Sequence, residues 1–114
     1  MSTIDRDTLR ARLASASPPT LVEALPEKYY AEGHLPGALH LPHERVRELA
    51  PALLPDKGAE IVAYCASPTC RNSHIAADTL KAMGYARVLV YEGGKKDWVE
   101  AGLPLERTVA SAAA

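Results

Sequence analysis

Apolar positions along the chain follow two spacings, one suited to short buried strands and one to amphipathic helices. Within residues 3–15, Leu9 and Leu13 stand four apart with Ile4 behind them and Asp5 and Asp7 near the start. That spacing predicts a first helix, closed by Ser17, Pro18 and Pro19. Residues 20–25 are a short apolar run between prolines and predict the first strand. Pro26 and Gly33 bracket a second helix over 26–32. A turn over 33–37, a strand over 38–41 stopped by Pro42, and a short surface helix over 43–49 follow, with Pro51 and Pro55 closing that region.

Beyond the Asp56-Lys57-Gly58 turn, residues 61–64 are apolar without alternation, the mark of a central strand covered on both faces. Ile75, Ala76, Thr79, Leu80 and Met83 then recur at helical spacing before Gly84. Residues 87–91 predict another buried strand, Gly93-Gly94 a turn, and 95–101 a helix that carries Trp98 and stops at Gly102 and Pro104. Tyr64, Tyr91 and Trp98 are expected in the core, Lys95 and Lys96 on a solvated helix start, and His34, His40 and His43 in structural roles. Strands alternating with helices imply an α/β fold, doubly wound, with a mostly parallel central sheet flanked by helices on both faces. In such sheets ligands bind beyond the carboxyl ends of the strands.

Composition narrows the function more than the fold. The 114 residues suffice for one domain with its own core, expected over 1–107 with a flexible tail over 108–114. Thirteen basic and 14 acidic residues, a net charge of −1, give no sign of a nucleic-acid partner or an anionic membrane. The polar start over 1–7 and the lack of any long apolar run make the cytoplasm the expected location. Two cysteines five positions apart are too few for a disulfide framework, so reactivity becomes the question.

Both cysteines lie in the stretch between the central strand and the most periodic helix. Cys65 at the strand's end faces backbone N–H groups and the positive end of a helix dipole, which favour a thiolate; the bland alternative is a small buried core residue. Arg71 is either a solvated charge or a bidentate partner for an oxyanion. Cys70 is a filler, a resolving thiol, or a metal ligand with Cys65 and His74, although that set is incomplete for a structural metal site and none is expected. Ser67 and Thr69 around Pro68 are turn formers or hydroxyl donors to an anion.

The run Gly33-His34-Leu35-Pro36-Gly37-Ala38, with Pro42 beyond it, resembles a signature of rhodanese-like domains. Glu92-Gly93-Gly94, Trp98 and Gly102-Leu103-Pro104 resemble that family's closing pattern, and Ile61-Val62-Ala63-Tyr64-Cys65 its strand leading into the catalytic cysteine. The resemblance spans roughly residues 5–106. It implies a sulfurtransferase without a cofactor, in which Cys65 cycles between thiolate and persulfide. The donor is a small sulfur-bearing anion such as thiosulfate, and the acceptor is cyanide, a thiol or a thiol-carrying protein. Cys65 is then the nucleophile, and Ala66, Ser67, Thr69, Cys70, Arg71, Asn72 and Ser73 bind the anion through their amides and the Arg71 charge.

Two departures stand out. Relatives usually carry an Asp-Val-Arg type sequence at the end of the first strand, where this chain has Glu23-Ala24-Leu25, so an expected Asp–Arg pair lacks its arginine. Rhodanese loops commonly run six residues, whereas phosphatases and arsenate reductases of the same fold run seven. From Cys65 to Arg71 there are seven residues inclusive, or eight if the helix opens at Asn72-Ser73. A phosphatase or arsenate reductase using Cys65 and Arg71 is therefore one rival reading, and a redox-sensing module with a Cys65–Cys70 disulfide is another.

Overall fold

Four strands, β1 (Thr20–Glu23), β2 (Leu39–His40), β3 (Glu60–Tyr64) and β4 (Arg87–Tyr91), form one parallel sheet in the order β2-β1-β3-β4. The structure is a computed structural model and describes residues 2–107; the tail expected over 108–114 lies outside the described residues. The register sets Glu23 beside Tyr64 and Tyr64 beside Tyr91, so one row of side chains crosses the carboxyl ends of the strands. The period of two then divides the core. Leu21, Val62, Tyr64 and Tyr91 pack on one face with Leu9 and Trp98, while Val22, Ile61, Ala63, Val88 and Val90 pack on the other with Val46, Ala50, Ala76 and Leu80.

The helices that supply those partners are α1 (Arg6–Leu13), α2 (Glu27–Glu32), α3 (Val46–Leu53), α4 (Asn72–Ala82) and α5 (Gly94–Glu100). α1 and α5 cover the first face, α3 and α4 the second, as a doubly wound sheet requires. Tyr64, Tyr91 and Trp98 are all buried in this core.

Three local expectations are corrected. The first helix begins at Arg6 and not near residue 3, because Asp5 caps it by accepting the Thr8 backbone N–H at 2.7 Å. That same contact holds the Asp5 carboxyl below its ordinary pKa, so the cap's contribution is present at neutral pH and lost as the pH falls through the lowered value. Residues 2–4 instead run beside β4, with Ile4 N–H donating to Val90 O and Val90 N–H to Ser2 O, and so cover an edge strand. Pro51 does not close the third helix but lies inside α3. It withholds one hydrogen bond on an exposed face, while buried Ala50 and Leu54 hold the helix down and Tyr85 OH donates to the Ala50 and Leu54 carbonyls. Ile75 is exposed, and α4 packs through Ser73, Ala76, Ala77 and Leu80.

The third correction concerns charge. Lys95 is not solvated: its ammonium donates to Glu23 Oε2 (3.0 Å), Tyr29 O (2.9 Å) and Gly33 O (2.8 Å), which uses all three of its N–H bonds. Glu23, fully buried at the end of β1, takes the Tyr64 hydroxyl on its other oxygen at 2.8 Å, and Tyr64 in turn accepts the Leu35 N–H at 2.9 Å. The carboxylate at the end of the first strand thus finds its cation on α5 and not two residues further along the chain, where Leu25 stands. Burial, and then the adjacent carboxylate, push the Tyr64 phenol far above its ordinary pKa, which keeps it a donor.

α5 also reaches the loop after β3. The Lys95 and Lys96 N–H groups donate to the carbonyls of Cys65 (2.9 Å) and Ala66 (2.8 Å). Gly94 makes the approach possible: its φ is +64°, and a Cβ there would press on the Cys65 carbonyl oxygen and lie 2.9 Å from Ala66 C and Ser67 N.

Two substitutions test this frame by urea unfolding, read as the midpoint at constant slope. Lys95→Met leaves the Glu23 carboxylate buried without its cation and is expected to lose about 3–5 kcal/mol. Gly94→Ala is expected to lose at least about 1–3 kcal/mol from backbone strain alone. It should lose clearly more than Gly37→Ala, where φ is +80° but nothing lies within 4 Å of the added methyl.

Candidate active site

Alternation along β3 turns Tyr64 toward α1 and α5 and Cys65 toward α4. Cys65 is 2% exposed, and its Sγ lies 3.4 Å from the hydroxyl of Ser73, which is itself buried in the first turn of α4. Because the Cys65 and Ala66 carbonyls are tied to α5, the trans geometry of their peptides aims the N–H groups of Ala66 and Ser67 away from that helix.

The chain then reverses. Cys70 N–H donates to Ser67 O at 3.0 Å across Pro68 and Thr69, a β-turn with proline at its favoured second position. The reversal returns Cys70 to the strand end. Its Cα stands 6.3 Å from that of Cys65, the two sulfurs form a disulfide, and the Cys70 carbonyl oxygen is 3.3 Å from Cys65 Sγ. Of the three readings of Cys70, the structure brings forward the one in which its sulfur meets Cys65.

Arg71 occupies the cap position of α4 without a side-chain cap bond, so the first amides of the helix are left open. Among the described residues, the backbone N–H groups of Ala66, Ser67, Thr69, Arg71, Asn72, Ser73 and His74 meet no acceptor, whereas that of Cys70 is used in the turn. Arg71 is exposed, and no carboxylate among the described residues lies within ion-pair distance of it. Ser67 and Thr69 pair with each other, hydroxyl to hydroxyl, at 3.0 Å on the outer part of the loop. The site therefore gathers Cys65, Cys70 and Ser73 closely and leaves Arg71, Ser67 and Thr69 around the mouth.

The sequence reading misses several residues that build the site. Glu23, Tyr64 OH and Lys95 fix the strand ends beneath it, and His74 pairs with Glu92 at 3.2 Å, linking the first turn of α4 to the end of β4. A glutamate inside an apolar parallel strand is a usable signal of a buried partner, but nothing in the local sequence identifies Lys95 as that partner. His34 and His40 have structural roles as expected. His34 Nδ1 lies 2.9 Å from Tyr30 O with its ring stacked on Tyr30, and His40 Nε2 lies 2.7 Å from Leu25 O.

Known proteins resemble this chain in sequence and fold. The family model for the rhodanese-like domain matches residues 5–101. A sulfurtransferase of Allochromatium vinosum is 35% identical over 104 residues, covering 90% of this chain and 92% of that protein. The thiosulfate sulfurtransferase PspE of Escherichia coli is 37% identical over 73 residues, covering 64% of this chain and 66% of its own. The solved structure of a thiosulfate sulfurtransferase from Pseudomonas aeruginosa superposes with a TM-score of 0.83 at 26% identity, over 94% of this chain and 20% of that one. With the parallel sheet, the strand-end cysteine and the loop into α4 all accounted for, the chain belongs to the rhodanese-like domain family.

Proposed function

We propose that the protein is a sulfurtransferase that carries a sulfane sulfur on Cys65. One observation carries the reading: Cys65 Sγ sits 3.4 Å from the Ser73 hydroxyl, beneath a loop and helix start whose backbone N–H groups are largely without acceptors. The cycle begins from free thiols, the state a reducing cytoplasm maintains. The Cys65 thiolate attacks the outer sulfur of a donor such as thiosulfate. The donor's S–S bond breaks, sulfite leaves with the bonding pair, and the sulfane sulfur remains on Cys65 as a persulfide. Cyanide or a thiolate then attacks that terminal sulfur and departs as thiocyanate or a new persulfide, returning Cys65 to the thiolate.

Charge is the main demand on the site, since donor, leaving group and persulfide are all anionic. The amides of Ala66, Ser67, Thr69, Arg71, Asn72 and Ser73 supply fixed partial positive charge where the terminal sulfur forms. The exposed Arg71 guanidinium meets the incoming oxyanion at the mouth. Cys70 contributes its position and its thiol, because its own N–H is spent on Ser67.

The test is sulfur transfer by protein whose thiols have been reduced and the reductant removed. Thiosulfate with excess cyanide should yield thiocyanate and sulfite in equal amounts, and Cys65→Ala should yield neither; thiocyanate from that variant would sink the reading. Turnover of an aryl phosphate or of arsenate without sulfur transfer would favour the phosphatase or reductase chemistry instead. Arg71→Ala should raise KM for thiosulfate by about 10- to 100-fold, the worth of one hydrogen bond to a charged group, and lower kcat less. An unchanged KM removes Arg71 from the donor site.

A further inference from the structure

We propose that Cys70 is the resolving thiol of the Cys65 persulfide, so that when no external acceptor takes the sulfur the domain releases hydrosulfide and closes the Cys65–Cys70 disulfide. The inference rests on the sulfurtransferase reading above and adds a second outcome to its cycle.

The geometry separates two possible attacks. A thiolate that reached the terminal sulfur of the persulfide would move the sulfur to Cys70, whereas one that reaches Sγ of Cys65 displaces the terminal sulfur. The structure sets the Cys70 sulfur directly against Cys65 Sγ itself, the atom that the second attack must reach. Little rearrangement is needed to reach it. The Ser67–Cys70 turn already folds Cys70 back over the strand end, and its carbonyl touches the same Sγ at 3.3 Å. Cys65 is 2% exposed while Cys70 is half-buried at the mouth, so an external thiol must pass the resolving thiol to reach the inner sulfur. An internal nucleophile held in place also has an effective concentration far above that of a free thiol.

The step balances without another reagent. The Cys70 thiol gives up its proton, its sulfur bonds to Cys65 Sγ, and the Sγ–sulfane bond breaks with its electron pair on the departing sulfur, which leaves as hydrosulfide. The sulfane sulfur is reduced by two electrons and the two cysteines are oxidised by two. A dithiol then exchanges with the disulfide and becomes a disulfide itself, returning both cysteines to thiols. Over the full cycle, thiosulfate and a dithiol become sulfite, hydrosulfide, a disulfide and a proton. External acceptor and Cys70 thus compete for one persulfide, and acceptor concentration sets the partition.

The experiment follows sulfur and thiols together in pre-reduced, reductant-free protein given thiosulfate. Without acceptor, the wild type should release one hydrosulfide per chain and lose both free thiols, with intact mass matching an internal disulfide and no added sulfur. Rising cyanide should raise the thiocyanate formed per hydrosulfide released, because each transfer to cyanide returns Cys65 to the thiolate whereas each hydrosulfide closes one disulfide. Cys70→Ser should release no hydrosulfide and retain one added sulfur on Cys65. A wild-type chain that keeps its added sulfur with no loss of the Cys70 thiol overturns the proposal while leaving sulfur transfer intact. Equal hydrosulfide release from Cys70→Ser also overturns it. Absence of both thiocyanate and hydrosulfide at every cyanide concentration overturns the sulfurtransferase reading and this proposal together.

Discussion

A fully buried glutamate at the end of a central strand is the constraint from which the rest of the site follows. Moving a carboxylate out of water costs several kcal/mol, and the cost is offset only where good partners meet both oxygens. Glu23 meets this condition through three distant segments: Lys95 from α5, Tyr64 from β3, and, through Tyr64 and Lys95, the turn that carries Gly33 and Leu35. One charge thereby ties β1, β3, α5 and that turn together at the carboxyl ends of the strands, where Tyr64 immediately precedes Cys65.

The same tie joins three separated motifs of this chain. The Gly33 to Ala38 run supplies the Gly33 carbonyl to Lys95 and the Leu35 N–H to Tyr64, and Gly37 N–H donates to Glu106 at 2.9 Å. The Gly93-Gly94 pair lets α5 begin in contact with Cys65 and Ala66. Motifs far apart in sequence are therefore parts of one support that holds the loop's carbonyls on one side and leaves its amides on the other. The missing arginine after β1 does not leave a gap, because a lysine on α5 fills the charge requirement from another direction.

Within that support the loop is free to specialise. Its length and the proline-centred turn return Cys70 to Cys65, so the site brings two cysteines together at the strand end. The loop also leaves Arg71 exposed at the mouth, with no carboxylate among the described residues within ion-pair distance.

The sequence by itself determined the layered α/β architecture and the central place of β3, and it singled out Cys65 as the candidate nucleophile. Each is written in local signals: apolar runs of strand length, helical spacing over 75–83, glycine and proline at the turns, and a thiol at a strand end. It determined less well where elements begin and end. The Asp5 cap overrode an apolar start at Ile4, and packing of Ala50 and Leu54 overrode the proline in α3. Only the tertiary structure decided the pairing of Glu23 with Lys95, the close approach of Gly94 to the Cys65 carbonyl, and the meeting of Cys70 with Cys65. Periodicity reports which side of an element is buried, but not which distant side chain shares that burial. A lysine after two glycines reads as solvated until the fold brings a buried carboxylate to it.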